Sequence, residues 1–242
     1  MNSKETFISL IESFASHHDM ANVFDDFLTF AIGILGNNPL VHIRSDRSSY
    51  HKIMEKYSDP IKSNFAKMLT CLTREMTEGH LSNEGNDILG DFYDSRLRKS
   101  SGPKSFIPYS DCALMARSAI SEAKKDFSGK SLHIVDFACG SGRILVSASK
   151  ESNNKHHYFG IDTHHTFVKM AALNLFLNGA FSSEVMCKDG DDISDFKVSY
   201  IVSSLPFGIF QIDEKEKSFL WKLLSKHRKV PDLFRVRKES LN

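Results

Sequence analysis

The stretch LHIVDFACGSGRILVSASK, residues 132–150, is where this chain concentrates residues able to bind a small molecule. A short apolar, β-branched run carries Asp136 near its end. The small residues Ala138, Cys139, Gly140, Ser141 and Gly142 follow, and a helical pattern resumes at once. A strand that turns through glycines into a helix lets a ligand approach the backbone closely. The N–H groups at the start of that helix are then expected to face the ligand. One strand–helix unit later, HYFGID ends in Asp162, and an acid at that place suits a pair of ribose hydroxyls. GSGRIL lacks the third glycine of a dinucleotide fingerprint, and no P-loop lysine follows, so a nicotinamide enzyme and a nucleotide triphosphatase are both disfavoured. An adenosyl cofactor without phosphates needs close approach and an acid but no anion cradle, and it fits the pattern.

These residues need a scaffold, and the surrounding periodicity supplies one. After Asp162 a helical pattern places Phe167, Met170, Ala171, Leu173, Asn174 and Leu177, closed by Asn178 and Gly179. A third strand, SEVMCK, leads into Asp189, Gly190, Asp191 and Asp192. A fourth, VSYIVSS, runs up to Ser204 and turns through Leu205, Pro206, Phe207 and Gly208. Strands alternating with helices predict a mostly parallel α/β sheet of about four strands, with ligands at the carboxyl ends of the strands.

The preceding residues read differently. Phe7, Leu10, Ile11 and Phe14 recur at helical spacing, as do Val23, Phe24, Phe27, Leu28, Ala31, Ile34 and Leu35, before Asn37, Asn38 and Pro39 end the pattern. Further helices are predicted over residues 50–57, from Pro60 onwards with Ile61, Phe65, Met68, Leu69 and Leu72 on one side, and over residues 88–97. Residues 1–100 are therefore expected to form a helical region and residues 101–242 the sheet domain, incomplete at its C-terminal end. The aromatic residues of the first half sit at core spacing rather than forming a base-stacking surface. His17 and His18 are adjacent and point to different sides of a helix, so they read as solvent-facing or partly packed. The basic stretch SRLRKSSGPKSF between the halves is either a solvated linker or a phosphate-contacting loop.

Composition sets the outer limits. Hydrophobic residues make up 41% of the chain, enough for a core, which argues against global disorder. The net charge of +1 gives no polyelectrolyte signal, so any nucleic-acid contact must come from local patches. The basic tail after Gly208, with Lys226, Arg228, Lys229, Arg235, Arg237 and Lys238, is either a solvated end or such a patch. Cys71, Cys112, Cys139 and Cys187 are scattered, with no close pair of metal-ligand type. No metal site is expected, and reduced, buried thiols of a cytoplasmic protein fit best. The first residues contain no continuous apolar leader and no run is long enough to span a bilayer, so no membrane association is expected.

On these motifs the chain resembles the N6-adenine-specific DNA methyltransferases of the type I restriction-modification class, in particular their short relatives borne by plasmids and other mobile elements. The resemblance spans most of residues 20–210. KSFIPYSDCALMA is similar to the family's cofactor-side segment, with Phe106, Pro108 and Tyr109 matching its signature and Ile107 in place of a threonine. VDFACGSGRIL resembles the family's cofactor turn, with Phe137 in place of a proline. FGIDTHHTFVKMAALNLFLNG looks like the ribose-acid segment through Asp162, and CKDGDDI like the adenine-ring acid segment through Asp191, with Asp189 the alternative.

The resemblance implies a Rossmann-like methyltransferase sheet, S-adenosyl-L-methionine as cofactor, and methyl transfer to the exocyclic amine of an adenine flipped out of DNA. It implies cofactor contacts from Phe106, Pro108, Tyr109, Asp136, Ala138, Cys139, Gly140, Ser141, Gly142, Asp162 and Asp191. It places the catalytic loop on Ser204, Leu205, Pro206 and Phe207: the serine and the Leu205 carbonyl accept from the target amine, and the phenylalanine stacks on the base. The family has proline where this chain has Leu205, which removes a fixed backbone torsion. The sheet also reads as shortened after Gly208. The implied partners are DNA and a homodimer or separate specificity subunit completing the sheet. The alternative is a catalytically inactive module of the same fold that binds DNA or a partner subunit.

Overall fold

The computed structural model describes residues 2–14, 18–35, 47–81, 86–98, 106–126, 131–187 and 200–201. The helical half comprises α1 (Ser3–Glu12), α2 (Met20–Leu35), α3 (Arg47–Lys56), α4 (Asp59–Leu81) and α5 (Ile88–Phe92). Local chemistry starts these helices. The Asn2 side chain accepts from the Glu5 N–H at 2.8 Å while the Glu5 carboxylate accepts from the Asn2 N–H at 3.1 Å, so two otherwise unpaired donors are satisfied. The Asp87 carboxylate caps α5 by accepting from the Gly90 N–H at 2.7 Å. The single helix predicted over residues 88–97 is instead α5 followed by a π-helical turn, Tyr93–Leu97. Such turns are rare and are frequently found at functional sites.

The aromatic residues of this half pack inward as their spacing predicts: Phe7, Phe24, Phe27 and Phe65 are fully buried, and the Phe27 ring meets those of Phe7 and Phe65 edge to face. His18 is exposed, with its ring edge-on to Tyr57.

The second half alternates as expected: α6 (Tyr109–Asp126), β1 (His133–Asp136), α7 (Arg143–Glu151), β2 (His157–Asp162), α8 (His165–Leu177), β3 (Ser183–Cys187) and β4 (Tyr200–Ile201). The four strands form one parallel sheet in the order β3-β2-β1-β4. This is a Rossmann-like α/β arrangement. From β1 the chain winds outward through β2 and β3, then returns to the other side of β1 as β4. The direction of winding therefore reverses between β1 and β4, and the crevice at their carboxyl ends is where open sheets of this kind bind ligands.

Helix α8 joins the two halves. Phe167, Met170 and Leu173 belong to the core of the helical half, whereas Ala171 and Leu175 belong to the core beneath the sheet. A helix apolar on nearly every side has to be covered all round. Polar contacts reinforce the junction: Asp25 of α2 accepts from Thr166 Oγ1 at 2.8 Å and from Lys169 Nζ at 2.6 Å. Asn178 ends α8, and Gly179 takes φ +82°, the left-handed exit that glycine supplies. No helix among the described residues is long and apolar enough to cross a membrane.

Candidate active site

The turn after β1 is built from backbone torsions that only glycine adopts cheaply. Gly140 has φ +53° and Gly142 φ +84°. Space is short as well: a Cβ at position 142 would lie 3.1 Å from the Ala171 Cα, and one at position 140 would lie 2.8 Å from the Phe106 ring. The turn is thus pressed between α8 and the segment preceding α6.

Three of its N–H groups are already paired within the protein. Gly140 N–H donates to Asp162 Oδ2 at 3.0 Å, Cys139 N–H to the Ile161 carbonyl at 3.1 Å, and Gly142 N–H to the Cys139 carbonyl at 2.7 Å. These three N–H groups of the turn are paired because it folds onto the end of β2 and onto itself; the donors expected to face a ligand are those at the start of α7, after Gly142. Ala138 N–H donates to Asp136 Oδ1 at 3.3 Å, and Asp136 is buried.

Asp162 ends β2 beside this turn. Its Oδ2 accepts from Gly140 and its Oδ1 from the His164 N–H at 2.9 Å, while the residue keeps partial solvent access. An ionised carboxylate offers about four acceptor positions. Two are used by main chain, so the group retains capacity for two more donors. The Cys139 thiol is buried close by, and burial pushes its pKa well up, with Asp136 and Asp162 adding to the effect; it is held as the neutral thiol. Of the four cysteines, Cys112 and Cys139 are buried while Cys71 and Cys187 keep partial access. The expectation of buried thiols thus holds for two of them.

An aromatic wall faces the turn. The Phe106 ring meets Phe167 at 5.1 Å and Tyr93 at 5.9 Å, and Tyr93 meets Phe167 at 5.1 Å. His164 stacks on Phe167 at 4.5 Å. The π-helical turn contributes twice, through the Tyr93 ring and through Asp94 Oδ2, which accepts from the Phe106 N–H at 3.0 Å. Pro108 is exposed and starts α6, its carbonyl accepting from the Asp111 and Cys112 N–H groups. Burial pushes the Tyr109 phenol up to about 12, so it stays protonated.

Beneath the turn lies a buried ionic network that residue spacing does not reveal. Asp87, on α5, accepts from Ser141 Oγ at 2.5 Å, from Asn174 Nδ2 at 2.6 Å and from Arg143 Nε. Arg143 Nη1 donates to the Ile107 carbonyl at 3.0 Å, and Nη2 to Asp91 Oδ1 at 2.7 Å. Asn174 Nδ2 also donates to the Ser141 carbonyl at 2.8 Å. The Arg143 and Asp87 side chains are 7% and 1% exposed. Burial alone would lower the arginine's pKa, but Asp87 and then Asp91 outweigh it and the net direction is upward. The sequence carries only a partial signal: Arg143 is followed by three apolar residues, Ile144, Leu145 and Val146, which marks it as a charge near the core without saying which carboxylate answers it.

The structure thus brings Phe106, Tyr109, Asp136, Ala138, Cys139, Gly140, Ser141, Gly142 and Asp162 to the carboxyl ends of β1 and β2 or the elements packed on them. Ser204, Leu205, Pro206, Phe207, Asp189 and Asp191 lie outside the described residues. The donor set fits an adenosyl group better than a dinucleotide. Asp162 has acceptor capacity for hydroxyls, whereas the cation at the turn, Arg143, is consumed by two carboxylates and faces no phosphate position.

The sequence profile described as N-6 DNA Methylase matches residues 84–231, more than half of the chain, a range that includes the turn, Asp162 and residues 204–207. No curated protein matches. Among solved structures, the chain is similar to a putative class I S-adenosylmethionine-dependent methyltransferase from Listeria monocytogenes, at 14% identity and TM-score 0.46, covering 89% of this chain and 62% of that one. It is similar to the type I restriction-modification methyltransferase subunit from Streptococcus thermophilus at 13% identity and TM-score 0.40, covering 78% and 58%. It is also similar to magnesium protoporphyrin IX methyltransferase from Synechocystis PCC 6803 with bound S-adenosylmethionine, at 17% identity and TM-score 0.38, covering 57% and 69%. The chain spans less than two thirds of the length of the first two.

Proposed function

Since the chain belongs to the N-6 DNA methylase family, we propose that it methylates the exocyclic amine of adenine in DNA with S-adenosyl-L-methionine as cofactor. The observation that carries this reading is the placement of Asp162 against the glycine turn, at the carboxyl ends of neighbouring parallel strands. Asp162 would accept from the ribose hydroxyls through its spare acceptor positions. Gly140, Ser141 and Gly142 would keep side chains out of the cofactor's way, and the ring of Phe106 would close one side. Pro108 and Tyr109 would belong to the same wall, and Asp191 would receive the adenine ring of the cofactor. The bound cofactor supplies an electrophilic methyl group on sulfonium.

The chain's own residues must prepare the nucleophile. The adenine amine is poor because its lone pair is delocalised into the ring. Ser204 Oγ and the Leu205 carbonyl would accept from its two N–H groups and hold the nitrogen nearer to tetrahedral, while Phe207 would stack on the flipped base. Pro206 would fix the turn that presents them. Leu205 gives less rigidity than proline, and misplacement by about 1 Å can cost on the order of a hundredfold in rate.

Two measurements test the reading. Calorimetric titration with S-adenosylmethionine should show one site per chain. Incubation with unmethylated DNA and methyl-labelled cofactor should transfer label to adenine N6. Absence of cofactor binding removes the proposal altogether. Binding without transfer, with and without added partner, selects the inactive module instead, a reading favoured by Leu205. The further expectation of a homodimer or specificity subunit pairing beyond β4 is tested by light scattering: a monomer that methylates unaided removes it.

A further inference from the structure

We propose that Arg143 and Asp87 are positioning residues for the cofactor: their buried ion pair sets the spacing between the glycine turn and the Phe106 wall. The inference rests on the reading of that turn as an adenosyl site. Burying two charges costs solvation that apolar side chains of the same volume would not lose, so such a pair is weak grounds for stability alone. Its bonds show what else it does. Each contact of the pair reaches a different part of the site. The guanidinium joins α5 through Asp87 and Asp91, and joins the segment at residues 106–109 through the Ile107 carbonyl. It also lies over the Phe106 ring, 5.5 Å from its centre. The Asp87 carboxylate holds the turn itself through Ser141 Oγ, and holds α8 through Asn174, whose amide also donates to the Ser141 carbonyl.

Ser141 stands between the two glycines with positive φ, so displacing Asp87 displaces both. Phe106 is in turn fixed from two sides, through the neighbouring carbonyl by Arg143 and through its own N–H by Asp94. The turn and the wall that would receive the adenosyl group are therefore referenced to one guanidinium. A planar fork is required for this. A lysine at 143 would keep the charge beside Asp87 but could not serve Asp87, Asp91 and the Ile107 carbonyl in one plane.

The test uses the full chain and S-adenosylhomocysteine as probe. Binding is read by calorimetry, thermal unfolding without ligand by circular dichroism, and exchange of the amides at residues 138–142 without ligand by mass spectrometry. The variants are Arg143→Lys, Arg143→Met, Asp87→Asn, and the double variant Asp87→Asn with Arg143→Met. Arg143→Met strands the buried Asp87 carboxylate, and Asp87→Asn leaves the buried guanidinium only the half-exposed Asp91, so each should lower Tm. The double variant strands none, and its Tm should recover towards wild type. A positioning role predicts that affinity does not recover with it: both Arg143→Lys and the double variant should bind about tenfold more weakly, with faster exchange at the turn. Wild-type affinity and wild-type exchange in a double variant of recovered Tm would overturn the inference, since the pair would then only hold the fold together. If Arg143→Lys does not fold, the double variant decides by itself. If the wild-type chain binds no S-adenosylhomocysteine, the proposed function falls and this inference with it. Binding by the wild type and by the double variant alike overturns the inference alone.

Discussion

Asp162 holds two main-chain N–H groups and keeps acceptor capacity to spare, so its replacement separates two roles. Hydrogen bonds to a charged group contribute about 1.5–3 kcal/mol each, so losing even one in Asp162→Ala should weaken cofactor binding by at least roughly ten- to a hundredfold. The same variant leaves the Gly140 and His164 N–H groups without their acceptor, so Tm should fall too; calorimetry reads the first role and thermal melts the second. The buried thiols give a second prediction at this scale. Burial pushes Cys112 up to about 12, and pushes Cys139 upward too, from an ordinary value near 9. A group whose folded pKa is raised stabilises fully below its unfolded pKa and loses that contribution as pH climbs towards the folded one. Between pH 9 and 12 the unfolded chain therefore releases thiol protons that the folded chain keeps. Stability should fall by at most about 1.4 kcal/mol per pH unit for each such thiol. Melts across that range should show the decline, and Cys112→Ala should make it shallower. A thiol reagent at neutral pH should label Cys71 and Cys187 well before Cys112 and Cys139.

Among elements, the packing of the glycine turn on α8 leaves Gly142 no room for a side chain without a shift of the Ala171 backbone. Gly142→Ala forces a left-handed torsion, costing about 1–2 kcal/mol, and presses a methyl group against the Ala171 backbone at 3.1 Å. A loss of several degrees in Tm is expected by differential scanning calorimetry; an unchanged Tm would mean that α8 can withdraw. The need for glycine here was legible in the sequence, because strand, turn and helix are contiguous and their periodicities change at the right residues. The parallel strands and the acid closing β2 were legible for the same reason. The network around Arg143 was not. Asp87 and Arg143 are 56 residues apart in sequence, and periodicity reports which face of a helix is apolar without reporting which element covers it. The π-helical turn escaped for a related reason: the apolar spacing of residues 88–97 suits α5 and the tighter α-helical continuation equally, and only the packing of Tyr93 on Phe106 and Phe167 separates them. The pairing of the turn's own N–H groups was not legible either, because the Ile161 carbonyl and the Asp162 carboxylate reach it from the neighbouring strand.

For the whole molecule, the composition change near residue 100 suggests two parts, and the energetics decide whether each folds alone. The helical half covers Phe167, Met170 and Leu173 of α8, and it supplies both carboxylates that neutralise Arg143. Without it, three large apolar side chains face water at about 2 kcal/mol each. A buried arginine also loses its counter-charges, a loss of roughly 3–5 kcal/mol when one member of a buried pair is removed. The sum rivals the entire stability of an ordinary domain, about 5–15 kcal/mol. A fragment of residues 101–242 should therefore show no cooperative thermal transition, should bind a hydrophobic dye, and should take up no S-adenosylhomocysteine. The full chain, prepared in parallel, should melt in one transition seen alike by circular dichroism and by calorimetry. A fragment that melts cooperatively and binds the probe would show that Asp87 and Asp91 are dispensable to the turn. The helical half would then have to be explained by contacts outside the site, with DNA or with a second chain, rather than by its support of the cofactor loop.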